Sequence, residues 1–459
     1  MWRVGQDATL RMTLGALLIV DRPPTQDALL ERLEFAAARA PRLRQRPDDP
    51  TAVRGRPAWV DDEDPAVDGH LRCLSVAAPG STRQVLDLVG LLEAIPFDPQ
   101  RSPWDVTLIE GLEGGRAALY LRSHHALTDG VAGLRLVGLL LDEPSWPRVE
   151  EKEKARPKRA APRAVVSTTD GERPRGTITI TIDVGKSVRR LLDRVSAARD
   201  VAPVESAVRG VQRGLDLANS VSRQLMVTGG PLAARPPNRS LLSHFEVISV
   251  DGARAAALAF GGSRNDLLVA AAAAGLGRYH ERLGTPTTEL RLATPTGQGH
   301  GDEIGGNWFA PARLEVPTAV GRPGPQFGIV AERLAQARRE PALRVASTVA
   351  ATLGRLPLQV LVPALHAQAE SVDFAATAIP GLRGERHICG SLIEAGYPLG
   401  PRLGCPMNIT AFANGDRLDV GIAVDPSAFA EPDVLVACLT DAFAGYVAAA
   451  GNGAPTESK

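Results

Sequence analysis

Between Pro144 and Arg175 the chain runs through proline and charge, including Glu150-Glu151-Lys152-Glu153-Lys154-Ala155-Arg156-Pro157-Lys158-Arg159, with too little apolar side chain to enter a core. A chain of 459 residues is already long for one core, and this interruption divides it into two lobes. The boundaries read as residues 1–143 for the first lobe, 144–176 for an exposed linker and 177–459 for the second. The mixed signs of the charge run favour a solvated linker over a lipid-binding one.

Composition narrows the classes. The 44% hydrophobic content can fill two cores, and 52 Lys plus Arg against 52 Asp plus Glu leaves no basic field to draw nucleic acid. Cys73, Cys389, Cys405 and Cys438 show neither disulfide nor metal spacing and read as reduced core thiols of a cytoplasmic protein. His70, His244, His280, His300, His366 and His387 are scattered, so no metal site is expected. Met12–Val20 ends in Asp21-Arg22-Pro23-Pro24 without a small-residue cleavage site and reads as a first strand, not a signal peptide. No apolar run approaches the ~20 residues that cross a bilayer, so any membrane contact is expected to be peripheral.

Strands and helices alternate in both halves. Thr177–Asp183, Phe245–Val250, Glu289–Thr294, Ser371–Ile379 and His387–Gly396 read as strands; Ser187–Arg199, Glu205–Gln224, Asn265–Glu281, Phe327–Arg339 and Glu431–Ala449 read as helices. Met407–Ala413 turns through Asn414-Gly415 into Arg417–Asp425, a hairpin signal. Leu353–Gln368, with Pro357 and Pro363, reads as a broken core helix, the alternative being a lipid-facing patch.

The chemistry concentrates at one junction. Ala117–Ser123 is a short apolar strand, and Val131–Leu141 carries one charge in three helical turns, so it reads as a largely buried helix. Between them lie His124-His125-Ala126-Leu127-Thr128-Asp129-Gly130, with Thr128 and Asp129 placed to cap the helix. Neighbouring residues at a strand end point to opposite sides, so only one imidazole faces a given cleft. A neutral imidazole can take a proton from a hydroxyl near pH 7. Asp129 is expected to hold the loop, and Gly130 to allow close approach or a positive φ.

These seven residues resemble the HHxxxDG motif of the CoA-dependent acyltransferases, which include chloramphenicol acetyltransferase and condensation domains. Pro96–Asp105 resembles the PLDxxRPLWE segment of the wax ester synthase/diacylglycerol acyltransferases, and Leu108–Ala117 continues it. Pro41–Arg46, Gly55–Val60, Gly69–Arg72, Gly262–Asp266, Gly305-Gly306-Asn307, Asn408-Ile409-Thr410 and Gly415–Gly421 are similar to further landmarks of that family. Thr377-Ala378-Ile379-Pro380-Gly381-Leu382 stands where the family has Ser-Asn-Val-Pro-Gly-Pro, and Thr294-Pro295-Thr296-Gly297 replaces its proline-valine-serine turn.

The resemblance implies an α/β fold of the α+β sandwich type, with two chloramphenicol-acetyltransferase-like lobes and an active-site channel between them. It implies transfer of a long-chain acyl group from CoA, as substrate and with no cofactor, to a diacylglycerol or long-chain alcohol. His125 would be the general base, with His124 and Asp129 shaping the loop. Asn265, Asp266 and Thr410 carry over as oxyanion or substrate-binding candidates, against helix-cap and strand-packing readings of the same residues. The partners are acyl-CoA and a lipid alcohol, with peripheral contact to a membrane or lipid droplet left open. Two other readings remain at this stage: a condensation-type enzyme using a carrier-bound acyl donor, and a lipid-binding homologue without turnover.

Overall fold

The computed structural model describes residues 1–48, 57–63, 66–143, 240–297, 309–318, 322–340, 358–382 and 384–452, all within one compact unit. The linker and the strand and two helices expected between 177 and 224 lie outside them, as does Gly305-Gly306-Asn307.

Two six-stranded sheets form the frame. The first has the order β11 (His387–Ile388), β12 (Ser391–Leu399), β1 (Thr13–Val20), β6 (Ala117–His124), β5 (Trp104–Glu110), β4 (Leu71–Ser75); the second runs β7 (His244–Val250), β14 (Arg417–Val424), β13 (Met407–Asn414), β10 (Phe374–Pro380), β8 (Glu289–Gly297), β9 (Phe309–Pro317). A small hairpin, β2 (Gln45–Asp48) with β3 (Ala58–Asp61), stands apart. Sheet membership does not follow the sequence division at 143 and 177. Strand β12 comes from the second half yet pairs antiparallel with β1, Leu17 opposite Tyr397, inside the first sheet.

Helices cover the sheets where the side-chain pattern is apolar. On one face of the first sheet, α1 (Gln26–Arg39) and α3 (Gly130–Leu140) bury Leu29, Leu33, Leu134 and Val137 against Ala16, Leu18, Trp104 and Val106. On the other, α2 (Thr82–Ala94) packs Val85, Leu86 and Val89 against Leu17, Ile19, Ile109 and Phe245 of β7. Ser81 and Gln84 close a reciprocal capping box at the start of α2. The second sheet is covered by α4 (Ala253–Ala259), α5 (Arg264–Arg282), α6 (Pro323–Arg338) and α8 (Pro432–Asn452). Its other face meets the first sheet where β12 crosses β14. There a Cβ on Gly421 would sit 1.9 Å from the Pro398 carbonyl oxygen, so only glycine fits.

Several expectations are corrected. Pro432–Gly451 is a 20-residue helix long and apolar enough to cross a membrane by length and composition. Its Leu435, Leu439, Phe443 and Tyr446 are nevertheless buried in the second-sheet core. The expected strand His387–Gly396 is broken at Cys389 and Gly390, both at positive φ, whose N–H groups donate to the Asp142 carboxylate at 2.8 and 2.7 Å. The hairpin closes one residue later than Asn-Gly suggests, with Asn414 opposite Arg417 and Gly415-Asp416 in the turn. The helix with Pro363, α7 (Leu358–Glu370), is not a core helix, for Ala369 is its one buried residue. The four cysteines are free thiols, but Cys73 is exposed and not a core residue.

Candidate active site

The site forms where β6 ends. Strand alternation sends His124 and His125 to opposite sides. The His124 ring joins Trp2 and Phe97, with centroids 5.0 and 6.2 Å away, while His125 lines a cavity on the α1/α3 side. The loop is fixed through its backbone: His124 N–H donates to Pro103 O at 2.9 Å, His125 N–H to Met12 O at 2.6 Å and Leu127 N–H to His124 O at 2.8 Å. Asp129 is the N-cap of α3, its Oδ1 accepting from Val131 and Ala132 N–H at 3.1 and 2.9 Å. Gly130 has neither the positive φ nor the close approach expected of it: a Cβ there would lie 3.4 Å from Ile379 Cδ1, an ordinary packing distance.

Burial sets the protonation of both rings. It pushes His125 below the ordinary imidazole pKa, against hydrogen bonds to its own and the Thr128 backbone and the nearby Asp129 carboxylate, which favour the charged form. Burial, then the neighbouring His125, pushes His124 down to about 3. The His124 Nδ1 accepts from Ala126 N–H at 3.0 Å, which puts the ring proton on Nε2, a buried atom with no partner. His124 is thus a loop-shaping group turned away from the cavity.

The cavity encloses about 450 Å³, within the usual range of ligand sites. One arm runs under α1 and α3, lined by Leu33, Ala36, Leu134, Val137 and Leu140 opposite Trp104 and Val106 of the sheet. The Trp104 indole N–H is occupied by Leu43 O at 2.8 Å, so the arm is apolar. The other arm reaches the second sheet at Thr294 and Pro295, Ala375–Pro380, Asn408 and Thr410.

The structure separates the candidates carried over from the second half. Thr410 lines the cavity, its hydroxyl donating to Asn408 Oδ1 at 2.7 Å, while Asn408 Nδ2 donates to Pro401 O at 2.9 Å. Asn265 and Asp266 are not among the cavity-lining residues. Asp266 accepts from Ser263 N–H at 2.8 Å and from Ser263 Oγ at 2.7 Å in a capping box and pairs with Arg338 at 3.0 Å, so it anchors the start of α5. Asn265 Oδ1 accepts from Ala378 N–H of β10 at 2.9 Å. Asn408 and Ala36 were missed as site residues. The Asn-x-Thr alternation on a strand, which puts both side chains on one face, would have found the first.

On the α2 side of the sheet lies a charged cluster, two members of which, Asp105 and Arg122, are also among the residues lining the cavity. Arg122 Nε donates to Asp105 Oδ1 at 3.0 Å and its Nη1 to Ile95 O at 2.6 Å. Tyr120 O–H donates to Glu93 Oε2 at 3.0 Å. Burial pushes Glu93 up to about 7 in spite of Tyr120, Arg122 and Arg11. Among the described residues His244, Glu246 and Asp433 come together with metal-ligand atoms, but Glu246 is already bonded to Arg83 at 2.5 Å and His244 at 3.0 Å.

Two curled sheets meeting at a His-His-x-x-x-Asp-Gly loop define the class as an acyltransferase of the two-lobed superfamily. A wax ester synthase/diacylglycerol acyltransferase from Marinobacter aquaeolei VT8 superposes with a TM-score of 0.58 at 21% identity, covering 96% of this chain and 95% of that one. The first condensation domain of a calcium-dependent antibiotic synthetase does so at 0.60 and 17%, covering 99% and 95%. These likenesses establish the fold. The wax ester synthase/diacylglycerol acyltransferase catalytic domain matches residues 1–268, and the C-terminal domain of the same family matches residues 305–446. A putative diacylglycerol O-acyltransferase of Mycobacterium tuberculosis is 32% identical over 97% of this chain and 89% of its own length. The chain belongs to the wax ester synthase/diacylglycerol acyltransferase family and is an acyltransferase.

Proposed function

We propose that the protein transfers a long-chain acyl group from acyl-CoA to the hydroxyl of a diacylglycerol or a long-chain alcohol, giving triacylglycerol or wax ester. The observation that carries this reading is a buried imidazole, His125, held neutral at the head of an apolar cavity arm. Hydrogen bonds to its own and the Thr128 backbone hold the ring in place, and a neutral imidazole keeps one unprotonated nitrogen that can act as base.

His125 takes the acceptor's hydroxyl proton as the oxygen attacks the thioester carbonyl carbon. The tetrahedral intermediate then collapses, the C–S bond breaks, and the thiolate leaves with the proton returned by the imidazolium. The thioester is reactive enough for direct transfer, so no acyl-enzyme is needed. Thr410 lines the same cavity; its hydroxyl proton is given to Asn408 Oδ1 at 2.7 Å, and it serves as the side-chain oxyanion donor when that proton turns to the substrate. Because the acceptors are apolar, the reaction is proposed at the cytoplasmic surface of a membrane or lipid droplet, where α7 offers Val360 at 38% exposure.

The test is incubation of the purified protein with labelled palmitoyl-CoA and, separately, dioleoylglycerol or hexadecanol, followed by lipid separation and thiol titration. Labelled triacylglycerol or wax ester appearing with one equivalent of free CoA supports the reading. Turnover only with an acyl-loaded carrier protein, or none with any donor, would overturn it.

A further inference from the structure

Strands β8 and β10 start as neighbours and then part. They pair only at Phe374 with Leu292 and Ala375 with Ala293, whereas β10 stays with β13 through Pro380 and β8 with β9 through Gly297. Pro295, just past the fork, has no N–H with which to re-close it. The diverging segments, Thr294-Pro295 on one side and Ala376–Pro380 on the other, are walls of the cavity. An N–H freed on the open edge of β10 needs an acceptor. Asn265, in the first turn of α5, supplies one to Ala378 at 2.9 Å.

We propose that Asn265 is a positioning residue that holds the free end of β10 and, through it, the His125 loop. The chain of contacts is short. The capping box and the Arg338–Asp266 pair fix the start of α5; Asn265 fixes Ala378; the next residue, Ile379, lies against Gly130; and Gly130 follows Asp129, the cap of α3, whose charge lies near His125. This assignment replaces the oxyanion role implied by the family resemblance, and its catalytic arm rests on the function proposed above. The two roles need opposite chemistry. A backbone N–H can be held only by an acceptor oxygen, while an oxyanion can be held only by the amide N–H.

Asn265→Asp separates them, because it keeps the acceptor and removes the donor. A carboxylate in the first turn of a helix is also favoured by the dipole. The expected result is kcat for Asn265→Asp within a few-fold of the parent, and for Asn265→Ala lower by about 10- to 100-fold with KM little changed, the cost of a misplaced base. Residue-resolved hydrogen exchange gives a readout independent of turnover: the Ala378 amide loses protection in Asn265→Ala and keeps it in Asn265→Asp. Loss of kcat in Asn265→Asp as deep as in Asn265→Ala would overturn the proposal, as would unchanged Ala378 exchange in Asn265→Ala. If the parent protein transfers no acyl group from CoA, the functional reading fails, and the exchange experiment still decides whether Asn265 holds β10.

Discussion

The two faces of strand β6 have been put to contrary uses. Toward α2 the strand presents Tyr120 and Arg122, bonded to Glu93 and Asp105, and His124, packed against Trp2 and Phe97. Toward α1 and α3 it presents Leu121, Ser123 and, past its end, His125, beside an apolar hollow. Two adjacent histidines differ accordingly, one locked in packing and one facing a cavity. A period-two strand lets one segment supply both a rigid back and a reactive front.

The contrast can be tested from its strongest point downward. His125→Ala should lower kcat by about 10²–10⁴ with an unchanged melting curve; equal loss of structure by circular dichroism would mean that the front is also scaffold. On the back, Arg122→Met leaves the 5%-exposed Asp105 carboxylate with only the partly exposed Arg72 beside it at 3.2 Å and should cost up to about 3–5 kcal/mol in urea unfolding. Adding Asp105→Leu should recover much of that. In the hollow, Ala36→Phe should fill the arm and shift preference from palmitoyl- to octanoyl-CoA by about tenfold or more in kcat/KM; an unaltered profile would put the acyl chain elsewhere.

The smallest effect is on pH. The folded pKa of His124 is lowered, so its unfolded form binds the extra proton, and this group's stabilisation falls as pH drops from about 6.5 toward about 3. The folded pKa of Glu93 is raised, so its contribution runs the other way and is lost as pH rises from 4.5 through about 7. The two offset each other between. Glu93→Gln should therefore steepen acid destabilisation by up to about 1.4 kcal/mol per pH unit in that window, read from urea midpoints.

Much of this was legible in the sequence because local patterns determine it. The motif strand and helix came out at Ala117–His124 and Gly130–Leu140, since an apolar run, an Asp cap and a glycine all agree there. Helix α2 went unread although Ser81 and Gln84 spell its capping box. The role of Asn265 was not legible: its partner is 113 residues away and is a backbone N–H, which leaves no trace in side-chain identity. The break at Cys389-Gly390 was hidden likewise, because the carboxylate that holds it is Asp142. The cavity could not be read either, since Leu33, Ala36 and Val137 have the composition of an ordinary core.

Strand β12 carries a consequence for biogenesis. At about 5–20 residues per second of translation, β1 emerges from the ribosome tens of seconds before its partner at Ser391–Leu399 exists. Throughout that interval an apolar strand, Thr13–Val20, keeps one edge unmated. A nascent chain of this kind depends on chaperone shelter, and truncated transcripts lacking the last 70 or so codons should yield aggregate, not half an enzyme.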